Sequence, residues 1–302
     1  MALRIGTCGY SYEEWKGVFY PEKCPKGEFL SFYAKHFDTV ELNVTFYRLP
    51  PLKVLSSIAG KVPDGFSFVV KAPQALTHVR GKDAKETTPL FREALKPFSG
   101  TGKLGGILFQ FPYSFKCSDE SKAYVEELAG GVTAGPGVVE FRHASWFTKE
   151  TMDWMRKHAL SLCCVDEPAL PNLPPPVAEV TGPVGYVRFH GRNKGTWWSG
   201  SGRPGPGTGS ARPLPSRFHR AGGSATMADE TARDGRYITH GGAAAGERYR
   251  YLYKEEELRE WVPRLEKMAR EAPVIFGFFN NHPEGYAVKN AQDLRGLAGS
   301  VS

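Results

Sequence analysis

The chain contains no Cys-x-x-Cys spacing, no Gly-x-Gly-x-x-Gly turn after its first strand-like run, and nowhere about 18 consecutive apolar residues. The first absence argues against a compact zinc or dithiol centre, which needs two thiolates held by one tight loop. The second removes the phosphate-binding turn expected of a doubly wound dinucleotide fold. The third leaves no segment long enough to span a bilayer, so no membrane partner is expected. Cysteine itself is scarce: five residues, an odd number, with Cys163 and Cys164 adjacent, the usage of a reduced, cytoplasmic protein. The opening MALRIGTCGYSYEEW lacks the apolar core of a signal peptide and runs directly into a strand-like pattern, so export is not expected.

Apolar residues, by contrast, are plentiful. At 41% hydrophobic and 24% charged, the 302 residues match a folded globular protein rather than a disordered one. A formal charge of +7 is compatible with nucleic acid or another polyanion, although its location matters more than its total.

Short β-branched and aromatic runs mark eight strands: Leu3 to Cys8, Thr39 to Thr45, Phe66 to Lys71, Gly106 to Phe111, Val138 to Arg142, Ser161 to Asp166, Gly185 to His190 and Val274 to Asn280. Helical stretches fall between most of them: Glu28 to His36, Pro51 to Ala59, Thr88 to Phe98, Asp119 to Leu128, Lys149 to His158, Glu255 to Arg270 and Ala287 to Leu297. Such alternation means parallel strands with crossover helices, and eight units predict a single-domain TIM-type (β/α)8 barrel over residues 1–302. Two connections depart from the pattern. DEPALPNLPPPVAEVTGP is too rich in proline for a helix and predicts an extended crossover. From Ser199 to Glu247, 49 residues with 11 Gly, six Arg and no Lys predict a flexible insertion, either a mobile lid or a disordered segment.

Active sites of such barrels collect at the carboxyl ends of the strands, and alternate side chains of a strand point inward. Polar residues late in each strand are therefore the candidates. Glu41, Asn43, Lys71, Gln110, Glu140, Arg142, His143, Asp166, Arg188, His190, Arg192, Asn280 and Asn281 meet that test, on seven of the eight strands. One such residue would read as a satisfied interior ion pair. Three carboxylates and four cations together cost several kcal/mol per unpaired ion, which an apolar filling would avoid, so function is the simpler account of the set.

The same residues carry a family resemblance. IGTCGYSYEEWKGVFYP, TVELNVTFYRLP, FVVKAPQALTH, LFQFPYSF, VEFRHASW, YVRFHGRNKG, YRYLYKEEEL and FFNNHPEGYAVKNA, in this order, resemble the motifs of the domain of unknown function 72 family, the YecE-like proteins. The resemblance runs nearly end to end and implies a barrel fold without a settled reaction. Cys8 and Tyr10 stand where that family commonly has Ser and Trp, and residues 199–247 lengthen the usual distance between HGR and the Tyr-x-Tyr motif.

Arg142, Arg188, Arg192 and Lys71 outnumber Glu41, Glu140 and Asp166 by four to three, so the mouth is expected to attract anions. Arginine forks suit phosphate, and the loop NNHPEGYAVKN opens the last helix where barrels commonly hold one. The leading expectation is an enzyme acting on a phosphodiester or phosphorylated substrate, nucleic acid included. Glu140, His190, Asp166 and Glu41 would be its catalytic groups, and the other polar residues would bind substrate. A divalent metal (Mn, Zn, Fe or Mg) would find ligands in Glu140, Asp166 and His190, with Glu41 near, against repulsion from the arginines. Without one, His190 or Glu140 would act as general acid or base. A sugar isomerase or epimerase and a non-catalytic nucleic-acid-binding protein are the alternatives. Of the aromatics in the first two βα loops, Phe19, Tyr20 and Phe46 read as packing, whereas Trp197 and Trp198 read as ligand contacts.

Overall fold

A computed structural model describes residues 2–198 and 247–299. The expectation of a lid or disordered insertion at 199–247 therefore falls almost wholly outside the described residues. Eight parallel strands form one sheet: β1 (Ala2–Thr7), β2 (Thr39–Leu42), β3 (Ser67–Lys71), β4 (Leu104–Gln110), β5 (Gly137–Glu140), β6 (Ser161–Asp166), β7 (Gly185–Phe189) and β8 (Val274–Phe279). Their order is β1-β8-β7-β6-β5-β4-β3-β2, so each strand neighbours its sequence neighbours and β8 returns to β1. The β1–β2 seam is joined at its carboxyl end, where Cys8 bridges Glu41 and Gly9 N–H donates to the Glu41 carbonyl at 2.8 Å. This is the TIM-type barrel that the alternation of elements predicts.

Two apolar clusters follow from period two. Inward positions Val69, Leu108, Val138, Cys163, Val165, Tyr186, Phe276 and Phe278 fill the barrel. Outward positions such as Val40, Val70, Ile107, Val139, Leu162, Val187 and Ile275 face the helices and build the larger core. The amino-terminal floor is closed by Phe276, whose ring fits because Gly105 has no side chain; a Cβ there would fall 2.7 Å from its Cζ.

The helices are α1 (Phe29–Tyr33), α2 (Val44–Tyr47), α3 (Leu52–Gly60), α4 (Lys82–Ser99), α5 (Asp119–Gly131), α6 (Lys149–Lys157), α7 (Glu255–Arg259), α8 (Val262–Ala269) and α9 (Tyr286–Ala298). Three departures from expectation stand out. The second strand stops short of Thr45: the chain turns into α2 after Leu42, and the Thr45 hydroxyl ties that turn to the Lys71 carbonyl at 2.6 Å. The helix expected from Thr88 begins at Lys82, with Pro89 and Pro97 inside it. The expected helix from Glu255 to Arg270 is two, because Trp261 turns inward to the core and Pro263 restarts the helix beyond it. The proline-rich stretch between β6 and β7 has no helix, as expected.

Loops over the first strands are packed by rings. Trp15 and Tyr20 are buried, Tyr20 stacks on Phe29 at 4.1 Å, and the Trp15 indole donates to the His282 carbonyl at 2.9 Å. That bond joins the first βα loop to the last. Among the described residues no helix is long and apolar enough to cross a membrane.

Candidate active site

Strand parity puts a charged layer on top of the apolar filling. Arg188 lies at its centre, 2% exposed, with Nη1 donating to Glu140 Oε2 at 2.6 Å and Nη2 to Glu41 Oε1 at 2.8 Å. Nη2 also lies 3.4 Å from Cys8 Sγ, and the Tyr186 hydroxyl donates to Glu41 Oε2 at 2.7 Å. Four strands thus contribute to one buried network, in which each carboxylate has a cation and at least one further donor or thiol against it.

One step nearer the carboxyl end, the outermost inward positions are Asn43, Lys71, Gln110, Arg142, Glu167, His190 and Asn280. Arg142 joins the two layers: its Nε pairs with Glu140 Oε1, and its Nη1 donates to Glu167 Oε2 at 3.2 Å. His190 Nε2 lies 3.4 Å from Glu140 Oε1, and the Asn280 amide lies 3.1 Å from His190 Nδ1. The Lys71 ammonium stands 4.1 Å from the centre of the Phe46 ring. Two buried polar atoms here have neither a hydrogen-bond nor an ion-pair partner among the described residues, Asn43 Oδ1 and Glu167 Oε1, while His190 Nε2 has only Glu140 Oε1. Leaving such atoms unsatisfied costs stability, and a bound polar group would satisfy them. Gln110 is less available, since its amide donates to the Phe111 carbonyl at 2.8 Å.

Burial sets the protonation states. It pushes the Glu167 carboxyl up, and the Glu140 and Asp166 carboxylates add to that against Arg142, to about 8. It pushes the Lys71 ammonium down, with help from Arg188, to about 8. His190 is held well below its ordinary value by burial and by Arg142, so its imidazole is neutral at neutral pH. For Glu140, burial acts upward but is outweighed by Arg142, Arg188 and His190, which hold the carboxyl well below the usual range. Glu167 and Lys71 are therefore the two groups of this layer able to exchange protons near neutrality, while Glu140 is a fixed anion.

Several expected site residues lie elsewhere. Asp166 has the outward parity of Cys164, not the inward parity of Cys163 and Val165, and faces the helices. There it accepts from the Trp261 indole at 2.6 Å, the Tyr253 hydroxyl at 2.8 Å and two nitrogens of Arg192. Arg192 does not share the face of Arg188 and His190. Gly191, at φ +88°, breaks the alternation just past β7 and swings it outward to Asp166, Glu257 and Glu260. Asn281 also faces out, donating to the Tyr251 carbonyl at 2.7 Å. The His143 ring caps a short 3-10 turn, its Nδ1 accepting from Ser145 N–H at 3.1 Å. Glu140, Asp166 and His190 consequently do not converge as metal ligands, and among the described residues no three His, Cys, Asp or Glu side chains form a metal-holding group. With the Asp166–Arg192 pair removed, the inward groups are three cations (Lys71, Arg142, Arg188) and three carboxyls (Glu41, Glu140, Glu167), of which Glu167 keeps its proton up to about 8. Sequence reasoning missed Glu167 and Tyr186. Both were legible by continuing parity: Cys163, Val165, Glu167 on strand six and Tyr186, Arg188, His190 on strand seven.

A family model described as "Protein of unknown function DUF72" matches residues 4–301. Over 303 aligned residues the chain is 28% identical to "UPF0759 protein YunF" of Bacillus subtilis (strain 168), covering 97% of this chain and 93% of that protein. It is 28% identical over 120 residues to "UPF0759 protein YecE" of Escherichia coli (strain K12), 39% of this chain and 42% of the relative. Among solved structures, a DUF72 family protein from Thermotoga maritima MSB8 superposes with a TM-score of 0.78 at 32% identity, covering 99% of this chain and 100% of the other. A second, from Enterococcus faecalis V583, superposes at 0.76 over 98% of this chain and 95% of that one; at 24% identity it speaks for the fold alone. The ordered motifs, the barrel and the end-to-end match agree, and the chain belongs to the DUF72 family.

Proposed function

We propose that the protein is an enzyme performing acid–base chemistry on a phosphorylated or phosphodiester substrate at the carboxyl mouth of its barrel. The observation that carries this reading is the placement of Glu167 beside Arg142: a carboxyl that holds its proton to about 8, one oxygen unpartnered, next to a guanidinium. Arg142 supplies positive charge for the phosphate, and the neutral His190 and Asn43 supply polar contacts. Glu167 gives its proton to the departing oxygen. Lys71, whose neutral form is accessible near pH 8, takes one from the attacking water or hydroxyl. Glu140 and Arg188 fix the charges beneath and do not themselves exchange protons. A cytoplasmic location fits this reading, since all five thiols are free.

The test is incubation of the purified chain with a chromogenic aryl phosphodiester, single-stranded DNA, RNA and phosphorylated sugars, each with and without Mn²⁺ or Zn²⁺. Turnover that falls at least about 100-fold in Glu167→Gln supports the reading, within the range of general acid catalysis. If every substrate emerges unchanged, it fails. The same proton-transfer pair suits an isomerase or epimerase acting on a sugar phosphate. Product analysis separates the two, because isomerisation leaves the phosphate ester intact.

A further inference from the structure

Two lysines of the barrel are drawn out of solvent, and the fold treats them differently. Lys103, just before β4, is buried, and its ammonium donates to the carbonyls of Ala59 at 3.1 Å and Val62 at 2.9 Å, with Asp64 at 3.8 Å. Those contacts are what a buried structural cation needs. Lys71, the last residue of β3, shares the inward parity of Val69. Among the described residues its ammonium has no hydrogen bond and no ion pair, and it stands 4.1 Å from the centre of the Phe46 ring. The carboxylates whose charge reaches it are committed elsewhere: Glu41 to Arg188 and Tyr186, Glu140 to Arg188 and Arg142. Phe46 is held in place in its turn. Its helix, α2, is tied to the Lys71 carbonyl by the Thr45 hydroxyl at 2.6 Å, and its ring meets the His78 ring at 5.1 Å and 82°. Burial, and then the charge of Lys71, push the His78 imidazole down to about 4, so that ring is neutral at neutral pH.

We propose that Lys71 is a nucleophile, and that the barrel mouth forms a Schiff base between its amine and the carbonyl carbon of an aldehyde or ketone. This is a further activity of the mouth and does not depend on ester hydrolysis. A desolvated amine with no carboxylate of its own, in the field of Arg188 and Arg142, gives up its proton far more readily than one on the surface, and the neutral amine is the nucleophilic form. Its lone pair forms the C–N bond while the carbonyl π pair moves to oxygen. That oxygen takes one proton from the nitrogen and one from solvent and leaves as water, and the nitrogen lone pair closes the C=N bond. No oxidant or reductant is consumed. The protonated imine keeps a positive charge where the face of the Phe46 ring favours one. A purely structural lysine would gain nothing from this placement, because the carbonyls that hold Lys103 have no counterpart at the Lys71 ammonium.

Reductive trapping of the full chain tests this. The protein is incubated near neutral pH with limiting glyceraldehyde 3-phosphate or glyceraldehyde in the presence of cyanoborohydride, which reduces an imine to a stable secondary amine, and peptide mass spectrometry locates the adduct. With its ammonium brought from 10.5 to about 8, Lys71 carries roughly 300 times the neutral fraction of an ordinary lysine at about pH 7. Access to the mouth is narrower than to the surface, so the expected labelling of Lys71 is at least about tenfold that of an exposed lysine such as Lys289. Lys71→Arg, which keeps the charge, should lose this adduct while surface labelling continues and its circular dichroism matches the parent. Labelling of Lys71 at or below the level of exposed lysines overturns the proposal, as does a dominant adduct that persists in Lys71→Arg. The two aldehydes keep this site separate from the phosphate reading. Preference for the phosphorylated one at Lys71 supports that reading, and equal labelling by both counts against it while leaving the Schiff-base site standing.

Discussion

Two buried carboxylates, Glu41 and Glu140, share the guanidinium of Arg188, and the effect of removing it follows from the desolvation of the anions left behind. Breaking a buried ion pair from one side typically costs about 3–5 kcal/mol. Arg188→Met should therefore lower the stability measured by urea unfolding by at least that amount, since two anions lose their partner. Arg188→Met with Glu41→Gln and Glu140→Gln should recover much of it; no recovery would show that guanidinium packing, not charge, is what matters. Glu167 behaves oppositely. Its folded-state pKa is raised, from 4.5 to about 8, so the folded chain binds more protons than the unfolded one between those values and stability falls as pH rises through them. Glu167→Gln removes that slope. The variant should gain on the parent between pH 4.5 and about 8. The gain should reach a few kcal/mol, because each tenfold difference in proton affinity between the two states is worth about 1.4 kcal/mol. Equal slopes in the two proteins would mean that Glu167 titrates like an exposed carboxylate.

At the scale of elements, the outward cluster on Asp166 decides how the last third of the chain is held. Trp261, at the break between α7 and α8, and Tyr253 both donate to this one carboxylate, and Arg192 ties it onward to Glu257 and Glu260. β6, the turn after β7 and the helix pair are thereby fastened at a single point. Trp261→Phe deletes the donor together with the five-membered ring of a fully buried indole, and should cost at least about 1–3 kcal/mol, that of one hydrogen bond to a buried charge. Asp166→Asn should cost at least as much. An unchanged urea midpoint in Trp261→Phe would show that Tyr253 and Arg192 suffice. These elements also mark where the sequence is legible. Every strand is visible because β-branched and aromatic runs are local, and the parity within each run tells inside from outside. The break at Trp261 is less visible, since the pull of Asp166 on the indole comes from a residue 95 positions away. Arg192 is misread for the same kind of reason: period two holds only while the strand continues, and Gly191 ends it.

For the molecule as a whole, the architecture follows from counting βα units, while the active layer depends on which polar residues meet across the barrel. Glu41 reaches Arg188 over 147 positions of chain, and no local pattern gives that pairing. The same separation of local from global bears on residues 199–246, which lie between β7 and the Tyr-x-Tyr segment. All eight strands fall among the described residues, and the chain on either side of this stretch is independently pinned. The Thr196 hydroxyl donates to the Glu247 carbonyl at 3.2 Å, so the two flanks already meet. Beyond them, Gly191 N–H donates to the Tyr253 hydroxyl at 2.8 Å, and Tyr253 N–H to Asn290 Oδ1 at 3.0 Å on α9. Replacing these 48 residues with about six of Gly and Ser should therefore leave the barrel intact. Eight-fold shortening is three halvings of a connection, worth about 2 kcal/mol in closure entropy at about 0.6 kcal/mol each, so the shortened protein should be equally or slightly more stable. Circular dichroism and urea unfolding of the two proteins check this. A loss of more than about 2 kcal/mol would exceed any closure term and assign these residues a packing role in the fold. Phosphoester turnover measured on the same pair then has its own meaning: retained activity places the whole site on the barrel, and lost activity with unchanged stability places part of it within 199–246.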